Sequence, residues 1–327
     1  MKTNTHRRGL HRIVAFLLCA VCVFSLLPAQ AFAAGVGQKA SSWLGDNYVG
    51  SDGQYYYAPA PYTYLVYHSD GTMDVKSSSG GSAYRHYMLT ASDGSSQQVY
   101  CVESGVPYHT SENTYTSESG TNSNYLNLLP AEARRGITLT AIYGWETGAR
   151  LPVPGINEDD YKIATQVILW EYQQQLRSDP YSRHGNGHAD ANQYFSIIAG
   201  RPAEKAYNWI LSQVASHSTV PSFTSTRKSE APELELKWDT EKKIYTLTVT
   251  DTNNLNINLE TVKGSGVSVS RSGNKYTFTS KNMIMDPVTF EFRKDIPVAN
   301  DMLIWGRPGY QTMMTGASDP VSFFVKI

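Results

Sequence analysis

The chain has 327 residues, 41% hydrophobic and 17% charged, which allows a sizeable core and excludes both a disordered and a wholly membrane-embedded protein. Its 28 Lys+Arg stand against 29 Asp+Glu for a net charge of −1, with no basic run, which argues against a nucleic-acid partner. Tyrosine is abundant at 22 and Ser, Thr and Asn are frequent, a mixture suited to β-strands with a polar outer surface.

Residues 1–33 read as a secretory signal. Lys2, Arg7, Arg8 and Arg12 form a basic start, Ile13 to Leu27 an apolar run, and Ala31-Phe32-Ala33 an A-x-A cleavage site. The run is short for a membrane anchor and ends at Pro28, so no membrane insertion is expected after cleavage. Cys19 and Cys22 leave with it. Removal takes away four basic and no acidic residues, leaving a net charge of about −5 and one cysteine, Cys101. An exported chain with a single cysteine has no internal disulfide, and its thiol needs a reason.

From Val36 to about Thr110 short strands alternate with turns. Gln54–Tyr57, Tyr62–His68, His86–Thr90 and Gln97–Glu103 are β-prone, and Cys101 falls near the end of the last. Ser111–Asn124 reads as a polar Ser/Thr-rich loop. Pro130 then opens a helix from Ala131 to Trp145, with Gly148 as a stop.

The next helix has Asn157 as N-cap and Glu158, Asp159 and Asp160 in its first turn, and it ends before Pro180. Ile163, Val167 and Trp170 make one apolar stripe, with Gln166 on its shoulder. A buried primary amide needs partners. The partner expected for Gln166 is Cys101: a sulfur and a glutamine side chain held together condense, release ammonia and leave an internal thioester. A third helix runs from Pro202 to about Ser216.

Residues 221–232 read as a linker. Beyond them Leu234–Trp238, Ile244–Val249, Lys275–Phe278, Val288–Phe292 and Val321–Val325 alternate as strands, with turns at Asp239-Thr240, Gly264-Ser265-Gly266 and Ser272-Gly273-Asn274, the spacing of a β-sandwich.

Tyr100-Cys101-Val102, Thr138–Gly144 and Thr165-Gln166-Val167-Ile168-Leu169-Trp170 together resemble the signature segments of the thioester, or TQXA, domain of Gram-positive surface adhesins. Val167 stands where the family commonly has alanine, a change conservative in size. The resemblance covers roughly residues 45–220. It implies an α+β fold: a β-rich thioester domain over 34–220 with an inserted three-helix segment, followed by an immunoglobulin-like sandwich over 233–327. It further implies a Cys101–Gln166 cross-link, open to attack by a lysine amine on a host surface or extracellular-matrix protein, used once and without turnover. Tyr100, Tyr143, Thr165 and Trp170 are the expected site-shaping residues, with Tyr100, Tyr143 and Trp170 excluding water. The loops Ser111–Asn124 and Ser178–Asn192 are the expected docking surface. No cofactor or metal is expected, and the protein is expected to be a secreted monomer.

Two other classes are open at this stage. Cys101 with His109, His184 or His188 and an acid is the inventory of a cysteine hydrolase or acyltransferase, although no hydrolase signature surrounds Cys101. His184 and His188 flank Gly185-Asn186-Gly187, which does not suit helical metal-ligand spacing. A non-covalent carbohydrate or protein binder displaying tyrosines is the other. The chain ends at Ile327 without an L-P-x-T-G string, so wall anchoring requires a sorting signal beyond it, and a truncated chain is expected.

Overall fold

The computed structural model describes residues 35–327 except 147–148, 256–258, 264–265, 295–301 and 318. The signal expected at 1–33, the stop at Gly148 and the turn residues Gly264 and Ser265 lie outside the described residues. Strands β1 (Lys39–Asn47), β2 (Tyr62–Tyr67), β3 (Met73–Ser78), β4 (Arg85–Ala91), β5 (Ser96–Cys101) and β6 (Ser111–Ser119) precede helices α1 (Ala131–Tyr143), α2 (Glu158–Gln173) and α3 (Ala203–Ser216). After the helices come β7 (Lys237–Asp239), β8 (Ile244–Thr250), β9 (Leu259–Lys263), β10 (Ser268–Ser272) and β11 (Lys275–Ser280). The last strands are β12 (Thr289–Lys294), β13 (Leu303–Gly306), β14 (Met313–Thr315) and β15 (Ser322–Lys326). The fold is α+β and mostly β.

The central feature is a closed antiparallel barrel in the order β1-β4-β5-β14-β13-β6. Two smaller sheets, β10-β11-β8-β7 and β15-β12-β9, share a second core built on Tyr276, Phe278, Phe290, Phe292 and Phe323. The division expected at 221–232 needs correction. β13 and β14 lie inside the range 233–327 yet complete the barrel, β14 against β5 and β13 against β6. Periodicity assigns strands to their neighbours in sequence, whereas β5 and β6 would be open edges without these distant partners.

Ser111–Asn124 also differs from expectation, since most of it is barrel strand β6, followed by a short 3-10 turn at Gly120–Asn122. Tyr115 and Ser117 are its buried members, and the Ser117 hydroxyl donates to the Gly35 carbonyl at 2.6 Å. A serine with a main-chain partner fills an inward position without penalty, a substitution that hydropathy does not register. Gln54–Tyr57 forms only isolated bridges, Val49 with Tyr55 and Tyr57 with Ala83.

α2 is the element on which the larger core is built. Asn157 caps it as expected, accepting from the Asp160 amide at 2.8 Å while Asp160 accepts from the Asn157 amide at 2.8 Å. Its end comes earlier than Pro180 requires, at Gln173, because Gln175 takes a left-handed conformation (φ 53°). Every residue from Asp160 to Gln173 is buried, not only the Ile163–Val167–Trp170 stripe. Contacts from α1, α3 and β5 enclose it on several sides. Gly136 on α1 permits this, since a Cβ there would stand 2.2 Å from the Tyr172 ring. Each fully buried aliphatic side chain of α2 contributes about 1.5–3 kcal/mol. Its acids find partners outside the helix: Glu171 pairs with Arg177 at 2.9 Å and accepts from the Tyr207 hydroxyl at 2.7 Å.

Candidate functional site

Cys101 is the last residue of β5, opposite Met313 of β14, and Gln166 lies midway along α2. They are 0% and 1% exposed. The Gln166 amide meets the main chain of Cys101 at two points: the Cys101 N–H donates to Oε1 at 2.9 Å, and Nε2 donates to the Cys101 carbonyl at 2.7 Å. This pairing brings the amide carbon over the Cα from which the sulfur branches. Two N–H donors address Sγ, the Glu103 amide and the Trp170 indole, each at 3.4 Å. Burial pushes the thiol up to about 12, against the partial offset of those two donors. At ordinary pH Cys101 is therefore a neutral thiol.

The residues before the two reactive ones set the register between strand and helix. Alternation turns the Tyr100 side chain to the opposite face of β5 from Cys101. Its hydroxyl donates to the Trp145 carbonyl at 2.7 Å, while the Trp145 N–H donates to Thr165 Oγ1 at 3.0 Å. Tyr100 and Thr165 thus share one main-chain unit.

Trp170 is at the sulfur and is flanked by Tyr84 and Tyr194 with ring centroids at 5.0 and 5.5 Å. Tyr143 corrects the expectation: its hydroxyl is engaged with His217 Nδ1 at 2.9 Å, and its carbonyl accepts from Tyr161. The phenols close enough to feel a charge on Cys101 are instead Tyr62, Tyr84, Tyr87, Tyr115, Tyr125 and Tyr194. Their only trace in the sequence is the tyrosine count, because they come from strands and loops on both sides of Cys101. Glu103 was also missed, although it stands two residues after the cysteine.

The histidines are occupied elsewhere. His109 bonds to Arg307 and packs against Tyr310, with centroids at 4.5 Å. His184 and His188 lie exposed on the loop after α2. Among the described residues no group of three or more His, Cys, Asp or Glu is placed to hold a metal ion. No helix among them is long and apolar enough to cross a membrane.

A lone cysteine and a glutamine amide enclosed together, with donors on the sulfur and on the amide oxygen, are the parts of a domain that stores an internal acyl group. Residues 98–216 match the family model of the thioester domain. The match spans β5 to α3 and holds both Cys101 and Gln166. The solved thioester domain of the Staphylococcus aureus TIE protein is similar at 17% identity, over 89% of this chain and 98% of that one, with a TM-score of 0.49, a likeness from which no detail transfers. No curated protein matches the chain.

Proposed function

We propose that the protein is an exported, surface-displayed adhesin that closes a thioester between Cys101 Sγ and the Gln166 side chain and spends it once on a lysine amine of a host protein. The observation that carries this reading is the two-point pairing of the Gln166 amide with Cys101, beneath two donors on the sulfur. Closure is an exchange: Sγ attacks the amide carbon, the C–N bond breaks, and the thiol proton leaves with the nitrogen as ammonia. The Cys101 N–H, already on Oε1, is placed to hold the oxyanion of the tetrahedral intermediate. In the reverse sense an amine attacks the same carbon, the C–S bond breaks, and the departing sulfur is received by the Glu103 and Trp170 N–H groups.

Export is supported by the basic, apolar and A-x-A order of residues 1–33. Irreversible use is supported by the enclosure of the pair, which slows hydrolysis. The reaction consumes the bond, so the protein acts as a single-use covalent binder and not as an enzyme. A secreted monomer, retained at the cell surface by a sorting signal, suits that role.

The test is the intact mass of the mature protein. It is expected to be one ammonia below the sequence value in wild type, and at the full value in Cys101→Ala. Methylamine should add to Gln166 and expose one alkylatable thiol. A boiling-resistant adduct with a host extract, lost in Cys101→Ala, is the expected functional result. A full-mass wild-type protein whose Cys101 alkylates at once overturns the reading.

A further inference from the structure

The strand that completes the barrel beside Cys101 carries a polar group without a partner. Gln311 stands just before β14, is 4% exposed, and among the described residues its side-chain Oε1 accepts no hydrogen bond. The rest of Gln311 is firmly held. Its N–H donates to the Pro107 carbonyl at 3.0 Å, its carbonyl accepts from the Tyr115 hydroxyl at 3.1 Å, and Nε2 reaches the Glu103 carbonyl at 3.4 Å. A buried acceptor left open in this way carries a desolvation cost that a bound donor would recover.

Glu103 faces the same place. Its main-chain N–H is on Sγ, and its carboxylate is fixed through Oε2 alone, which accepts from the Thr312 N–H at 2.9 Å and hydroxyl at 2.8 Å. The Val102 N–H donates to the Thr312 carbonyl at 3.0 Å, so both strands hold this corner in register. Tyr87 joins it: its phenol lies against the Gln311 amide and within electrostatic reach of Cys101. A carboxylate, an open carbonyl and an aromatic ring are what an alkylammonium ion binds to. Burial holds the Glu103 carboxyl above the usual carboxylate range, in the direction that makes it a better proton acceptor.

We propose that Glu103, Gln311 and Tyr87 form the amine-recognition site of the thioester, selective for a primary alkylammonium of the lysine type. This rests on the Cys101–Gln166 thioester. The ammonium donates to Gln311 Oε1 and to the Glu103 carboxylate, which takes one proton. The neutral amine then attacks the Gln166 carbon, the C–N bond forms and the C–S bond breaks. The sulfur leaves with the second proton from the attacking nitrogen, and Glu103 returns its proton to solvent.

The experiment compares methylamine, a cation at neutral pH, with hydroxylamine, which is uncharged there, on protein whose thioester is verified by intact mass. The ratio of the two rates is expected to fall about a hundredfold in Glu103→Gln, with partial recovery in Glu103→Asp. It is expected to fall about tenfold in Gln311→Leu, which removes the open acceptor together with the long 3.4 Å contact from Nε2 to the Glu103 carbonyl. The pH profile of the methylamine reaction should show a carboxyl-group dependence in wild type that is absent from Glu103→Gln. An unchanged ratio in Gln311→Leu overturns the proposal, and this variant carries the test if Glu103→Gln does not close the bond. A wild-type protein of full mass is a different result, since it removes the thioester itself.

Discussion

One helix carries two glutamine clamps, and only one of them holds a cysteine. Gln166 pairs with the N–H and C=O of Cys101, and Gln174, at the end of the same helix, pairs with the N–H and C=O of Leu65 at 2.5 and 3.2 Å. Gln193 does the same for Thr63, at 2.9 and 2.8 Å. The second and third clamps give β2 a partner on the edge away from β3. A glutamine side chain docked on an edge residue is thus a structural device this fold uses repeatedly, and by itself it is not a reactive site. What differs at Cys101 is the sulfur and its two N–H donors, while the Gln174 nitrogen is also tied to Gln173 Oε1 at 2.6 Å.

The sharpest way to break this comparison is to place a cysteine in the second clamp. Leu65→Cys is expected to leave the ammonia loss at one, with one added alkylatable thiol and no second condensation. A second ammonia lost between the introduced thiol and Gln174 would mean that the clamp alone makes the bond.

The chemical state of the first clamp can be read without the bond. In Gln166→Glu, which keeps the shape but cannot expel ammonia, Cys101 is a thiol held at about 12 by burial. Its ionised fraction near pH 9 is then about a thousandfold below unity and rises about tenfold per pH unit up to the folded value. Alkylation should climb through that window without levelling, and a plateau near pH 9 contradicts the burial argument.

The structural clamps should show their value in stability alone. Gln174→Leu leaves the N–H and C=O of buried Leu65 unpaired and is expected to cost about 2–4 kcal/mol in denaturant unfolding, with ammonia loss intact. Gln193→Leu should cost about 1 kcal/mol, because water reaches half-exposed Thr63. Equal costs would show that burial does not separate the two.

The smallest effect is expected at the sulfur donors. Trp170→Phe keeps the stack between Tyr84 and Tyr194 but removes the indole N–H, and should slow methylamine about fivefold, equivalent to about 1 kcal/mol. An unchanged rate would leave the Glu103 N–H as the working donor.

The Cys101–Gln166 pair was legible because its signals are local. A single cysteine lies outside the signal read at 1–33, and a capped helix with an apolar stripe carries a glutamine next to the stripe. The three helices, most strands and the Asn157 cap follow from the same short-range rules, which act within a turn or a strand. What they miss lies in the polar residues. Ser111–Ser119 reads as a loop because its inward serine is satisfied by a main-chain carbonyl, which composition does not reveal. The wholly buried Asp160–Gln173 reads as amphipathic because its acids and amides have partners far along the chain.

Which two side chains are proposed to carry the chemistry follows from the chain alone, since Cys101 has no rival once the proposed signal is removed and Gln166 sits in a recognisable helix. What surrounds them was settled by packing. β13 and β14 leave the smaller sheets between β12 and β15 to close the barrel, and Thr312 and Gln311 reach the corner beside Cys101 through pairings across about two hundred residues. Six tyrosines from separate elements lie within electrostatic reach of one sulfur. Such contacts are fixed by the need to pair barrel edges and fill a common core, and no periodicity along the chain records which distant residues will meet.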